Sequence, residues 1–136
     1  MGALAMIRLL PGLILTILTA IFAAPGNAEA DLAGYWQHES EPVWIEMQPE
    51  AGQGVMVRND NRPDRVGFLV VTDFKASDDP NEWLAQVFAA RLGEYRKAEI
   101  TLSADDRMVF TVKVGFMRRS VEWRRVSEVP TALNDA

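Results

Sequence analysis

The feature that most constrains this chain is a repeated period of two. Val43, Ile45 and Met47 alternate with Trp44, Glu46 and Gln48. Arg96, Ala98, Ile100 and Leu102 alternate with Tyr95, Lys97, Glu99 and Thr101. Met108, Phe110, Val112 and Val114 recur at the same spacing, as do Val121, Trp123 and Arg125 opposite Ser120, Glu122 and Arg124. Side chains two apart share one face of a strand and diverge around a helix, so the pattern specifies half-buried β-strands.

Turn chemistry punctuates these runs. Glu50-Ala51-Gly52-Gln53-Gly54 follows the Val43–Gln48 run, and Val55–Arg58 returns from it. Asn59-Asp60-Asn61-Arg62-Pro63-Asp64 is a polar loop built of turn-favouring residues. Val66–Phe74 is apolar on both faces, which predicts the most buried strand. Lys75–Asn81 is the next loop, and Glu82–Phe88 a strand around Trp83. Turns are expected at Gly93, at Ser103–Asp106 and over Phe116–Arg119. Ala85, Ala89 and Ala90 would permit a helix near Trp83–Leu92, but Trp83, Ala85 and Val87 alternate at two and continue the meander. With Leu32–Gln37 as the first, this gives eight short strands over residues 31–126. The simplest arrangement is all-β: an eight-stranded antiparallel up-and-down barrel, which leaves no edge strand; a two-sheet sandwich is the alternative. The tail 127–136 has little to bury and is expected to fray.

Ahead of the strands lies a different segment. Met1–Arg8 carries one positive charge, Leu9–Ala24 is almost wholly apolar, and Ala28-Glu29-Ala30 places small residues around a cut site. Basic start, apolar middle and small-x-small ending are the layout of a secretory signal, so residues 1–30 are expected to be removed. The apolar run is shorter than the roughly 20 residues of a spanning helix, and Pro11 and Gly12 weaken it further. Cleavage would leave no stable membrane span and a periplasmic or secreted protein.

Composition narrows the chemistry. The 136 residues include no cysteine and one histidine, which excludes disulfides, thiolate metal sites, a cysteine nucleophile and multi-histidine clusters. A net charge of -5 argues against a nucleic-acid partner. His38 stands beside Glu39 and Glu41, but no second base or nucleophile is placed to use it, so it reads as a lone surface histidine. Asn59, Asp60, Asn61 and Asp64 offer oxygens, yet the loop lacks the Gly and terminal Glu of a calcium loop, and an ordinary turn is the better reading. No phosphate loop, Gly-x-Ser-x-Gly elbow or His-Glu-x-x-His occurs. We therefore expect no catalytic site, metal or cofactor.

Several short motifs recur in a distinctive order. Gly34-Tyr35-Trp36 opens the first strand and resembles the Gly-x-Trp signature of lipocalins. Asp60-x-x-Pro63-Asp64-Arg65, Asp73-Phe74-Lys75, Asn81-Glu82-Trp83, Gly93-Glu94-Tyr95, Asp105-Asp106-Arg107-Met108, Val114-Gly115 and Trp123-Arg124-Arg125-Val126 follow. From Gly34 to Val126 this order resembles the secreted bacterial family catalogued as domain of unknown function 2147. The chain departs from that family's pattern at Ala90-Arg91-Leu92, where an Asp-Pro pair is usual. The resemblance implies a small exported protein with a lipocalin-like barrel and no established activity. It also implies that an Arg of the last strand packs across the Trp of Gly-x-Trp; Gly34, Trp36 and Arg125 are the residues in position.

Phe68, Phe74, Trp83, Phe110 and Trp123 are the aromatic candidates for a barrel lining. A barrel of about eight strands is either filled by its side chains or just wide enough for one small ligand. The first reading is a binding protein for a small apolar or amphipathic molecule. The second is a filled barrel that meets another envelope protein through its surface.

Overall fold

The computed structural model describes residues 30–131; the expected signal segment up to residue 29 and the last residues of the tail lie outside the described residues. Eight strands follow one another: β1 (Gly34–His38), β2 (Val43–Gln48), β3 (Gln53–Asn59), β4 (Leu69–Ala76), β5 (Glu82–Ala89), β6 (Glu94–Ala104), β7 (Arg107–Val114) and β8 (Met117–Val126). Each pairs antiparallel with the next, and β8 pairs back on β1, so the sheet is a closed barrel. The Trp83–Leu92 stretch is strand and turn rather than helix.

Sequential antiparallel order gives the barrel two unlike ends. At one end lie the chain's entry into β1 and the β2–β3, β4–β5 and β6–β7 turns. Leu32, in a single 3-10 turn just before β1, is fully buried there with Trp36, Ile45, Met47, Ile100 and Met108. Trp36 Nε1 donates to the Leu32 carbonyl at 3.0 Å, which satisfies the indole inside the plug. Full burial of such side chains contributes about 1.5–3 kcal/mol each. The other end carries the β1–β2, β3–β4, β5–β6 and β7–β8 connections.

The alternation holds along β5, β6 and β7. Trp83, Ala85 and Val87 are buried, as are Ala98 and Ile100, and Met108, Phe110 and Val112. It fails on β4, and the failure has a local cause. Asp73 adopts φ 53° at a bulge between Thr72 and Lys75, where β4 carries one residue more than β5. The extra residue swaps faces, so Val71 faces the core before the bulge and Phe74 packs on the core after it.

The segment Val66–Phe74 is therefore not the most buried strand. Pro63–Arg65 forms a 3-10 turn, the strand begins only at Leu69, and Val66, Phe68 and Leu69 are exposed. These apolar residues sit at the rim of the open end, where the barrel offers them no opposite wall. The last turn also differs from expectation. Val114 pairs with Met117, so Gly115 and Phe116 alone make the β7–β8 turn, and Arg118 and Arg119 belong to β8.

On β2, Trp44 falls on the outer face yet is buried. The Arg58 guanidinium lies 4.8 Å over its ring, held by Asp60 and by the carbonyl of Pro130. The first residues of the tail are thus drawn against β3.

Candidate functional site: an open-ended barrel cavity

The closed end is sealed by an arginine. Trp36 and Arg125 are paired residues on β1 and β8. The Arg125 guanidinium stacks over the Trp36 ring, with Cζ 4.4 Å from its centroid. Its Nε donates to the Asp105 carbonyl at 2.8 Å and Nη1 to Ala33 at 3.1 Å, and Nη2 donates to Asp31. One side chain thereby ties together the entering chain, the β6–β7 turn and β8. Gly34 has φ 119°, which L side chains rarely adopt, and a Cβ there would lie 3.7 Å from Arg125 Nη1. Glycine lets β1 begin beside the guanidinium without strain.

The opposite end contains a cavity of about 910 Å3. That lies within the usual range of ligand pockets, roughly 300–1,000 Å3. Val43, Met56, Val70, Val87, Phe110, Val112 and Trp123 make its apolar wall. Phe68, Phe110 and Trp123 of the expected lining are therefore present. Phe74 and Trp83 are not: they stack on each other, centroids 5.9 Å apart and planes 19° apart, and pack with the core away from the cavity. The bulge at Asp73 directs Phe74 there. The barrel is consequently neither empty throughout nor filled throughout; its sealed half is packed and its other half is open.

The floor is aromatic. Phe110 and Trp123 meet at 5.4 Å, and the His38 ring stands edge-on to Trp123 at 5.1 Å. His38 is half-buried at the mouth rather than on the open surface. Its Nδ1 accepts the backbone N–H groups of Ser40 and Glu41 at 3.1 and 3.2 Å, which places the proton on Nε2. The Trp123 indole N–H is buried without a hydrogen-bond partner among the described residues. Phe68, Phe88 and Tyr95 form a second aromatic group at the rim, with Tyr95 Oη donating to the Leu69 carbonyl at 2.7 Å.

The β3–β4 loop is rigidified by its own polar groups. Asn59 is buried, and its Oδ1 accepts the backbone N–H of Asn61 at 3.0 Å and of Arg62 at 2.8 Å. Asn59 Nδ2 has only the Met56 sulfur among the described residues, at 3.9 Å. Asp64 accepts both Nε and Nη2 of Arg62, at 3.0 and 2.8 Å. These Arg62 hydrogen bonds hold the Asp64 carboxyl below its ordinary range, and Arg58 does the same for Asp60. The loop's oxygens are thus engaged by guanidinium and amide groups, as in a turn. No group of three or more His, Asp or Glu side chains is placed to hold a metal among the described residues.

Sequence reasoning missed the charged rim. Arg62, Arg65, Arg91 and Arg119 line the mouth, against Glu41 alone among carboxylates. Arg119 is the one with a readable signal: it lies two and four residues before Val121 and Trp123, on the inward face of β8. Arg118 points out to Glu99 at 3.2 Å.

No protein-family model matches this chain, and no curated protein or solved structure matches it either.

Proposed function

We propose that the barrel is a binding protein for a small apolar or amphipathic molecule, held in the open half. The observation that carries this reading is the asymmetry: one end is plugged by Leu32, Trp36 and Arg125, while the other holds a 910 Å3 cavity with an apolar wall. A site closed at one end lets a ligand bury its apolar part and keep its polar part at the mouth. We read the protein as a binder rather than an enzyme, since His38 spends Nδ1 on the backbone of its own turn. We also propose a periplasmic or secreted location, on the pattern of residues 1–30, and a lipocalin-like kinship with the domain of unknown function 2147 family, on the motif order from Gly34 to Val126.

The test is titration with N-phenyl-1-naphthylamine, an uncharged apolar fluorophore. Probe emission should rise and saturate at one equivalent. Val112→Phe, which projects into the cavity wall, should weaken binding without unfolding the barrel. Linear, non-saturating emission that Val112→Phe leaves unchanged would overturn the reading.

A second reading has its own support. Phe116 is fully exposed at the tip of the β7–β8 turn, with Met117 at the start of β8 and Leu92 and Val66 on open-end connections also exposed. Exposed apolar groups gathered at one end suit contact with an envelope protein partner. Phe116→Ser would then abolish that contact while leaving probe binding intact.

A further inference from the structure

The rim is chemically unlike the rest of the molecule. The chain as a whole carries a net charge of -5. At the cavity mouth the balance reverses: Arg62, Arg65, Arg91 and Arg119 face Glu41. The arginines arrive on three separate segments, the β3–β4 loop, the β5–β6 loop and the start of β8, and the closed barrel brings them around one opening.

Their engagement differs. Arg62 is committed to Asp64 by two hydrogen bonds. The Arg65 guanidinium lies 5.5 Å over the Phe88 ring beside the mouth, a contact that uses no N–H group. Arg91 and Arg119 are exposed and make no ion pair among the described residues. Away from the mouth, four arginines meet carboxylates, Arg58 with Asp60, Arg96 with Glu94, Arg107 with Glu39 and Glu122, and Arg118 with Glu99, while Arg124 reaches the Gln37 side-chain amide and Arg125 the carbonyls of the sealed end. Uncommitted guanidinium groups are thus found at the mouth of an apolar cavity, in a protein with carboxylates to spare.

We infer that the ligand of this cavity is an amphipathic anion, whose apolar chain lies along Val112, Phe110 and Trp123 and whose carboxylate, sulfonate or phosphate head is met at the rim by Arg65, Arg91 and Arg119. This rests on the binding reading above and names the chemical class of the ligand. Guanidinium groups present paired N–H donors that match such oxyanions, and charge-assisted bonds of this kind are about twice as strong as neutral ones. A nucleic-acid strand is disfavoured, because the arginines ring one opening instead of tracking along a groove and the net charge is negative.

The experiment compares two ligands with the same tail. Dodecanoate and dodecan-1-ol compete for bound N-phenyl-1-naphthylamine at pH 8 and low salt. Dodecanoate should displace the probe at a concentration about tenfold lower than dodecan-1-ol, the ratio that one net charge-assisted contact of about 1.4 kcal/mol provides. In Arg91→Met/Arg119→Met the ratio should fall toward one through loss of dodecanoate affinity, with dodecan-1-ol unchanged. Raising the salt should narrow the ratio in the unmodified protein. Equal displacement by the two, or a ratio that survives the double substitution, overturns the anion inference and leaves the apolar pocket standing. Probe that saturates but is displaced by neither also overturns it. Probe that never saturates overturns the pocket reading and this inference together.

Discussion

Replacing Arg125 by methionine isolates the closing contact. Methionine keeps an unbranched apolar stem against Trp36 but removes the guanidinium, so the loss is the cation–π contact and the donors to Asp31, Ala33 and Asp105. The stacking is worth about 0.5–2 kcal/mol, and a hydrogen bond to a charged group about 1.5–3 kcal/mol. Arg125 is half-buried, and the freed carbonyls at the barrel end regain some water, so these do not add. We expect a net cost of about 3 kcal/mol, which for a barrel of this size lowers Tm by about 12–24 °C. Arg124, one residue earlier, is exposed and among the described residues reaches only Gln37 Oε1, at 3.3 Å, so Arg124→Met should cost less than about 0.5 kcal/mol. The assay is thermal and urea unfolding of both variants followed by tryptophan emission, with Trp36→Leu added to close a double-mutant cycle. Coupling between Trp36→Leu and Arg125→Met should be about 1 kcal/mol. Equal costs for Arg124→Met and Arg125→Met, or zero coupling, would refute the closing role.

Three other outcomes follow from the same geometry. A Cβ on Gly54 would lie 2.8 Å from the Met47 sulfur and 3.1–3.2 Å from Val71, so Gly54→Ala should destabilise by about 1–3 kcal/mol in urea unfolding. Phe110→Ala removes a buried cavity-wall ring, so it should cost about 3–5 kcal/mol and change probe affinity, whereas Trp83→Phe, away from the cavity, should leave probe affinity as it was in fluorescence titration. Asp64 is held below its ordinary carboxyl range by Arg62, so its contribution to loop order is present above the unfolded carboxyl range and lost as pH falls through the lower folded value. Amide chemical shifts of Asn61 and Arg62 should be flat near neutral pH and move only under acid conditions, and Asp64→Asn should diminish that acid transition; an unchanged transition in the variant would refute the assignment to Asp64.

Much of the architecture was legible because strands write their faces into the chain at every second residue. Trp83, Ala85 and Val87, and Met108, Phe110 and Val112, declare one side from local sequence alone, and eight such runs with short turns leave few arrangements without edges. The Trp36–Arg125 contact was implied by the resemblance of Gly34-Tyr35-Trp36 to a Gly-x-Trp signature; closure makes the first and last strands neighbours, and parity then selects Arg125 over Arg124. Three things were decided only by the tertiary structure. A single extra residue at Asp73 turns Phe74 onto Trp83 in the packing of the sealed half, because a bulge is a property of pairing between strands. Trp44 is buried on an outer face because Arg58 folds over it from the next strand. The arginine rim belongs to two loops and the start of β8, separated by tens of residues, whose charges share one opening only after the barrel has closed. Alternation is set by each strand's own backbone and survives in the sequence. The convergence of Arg62, Arg65, Arg91 and Arg119 depends on where distant turns end in space, which no local period records.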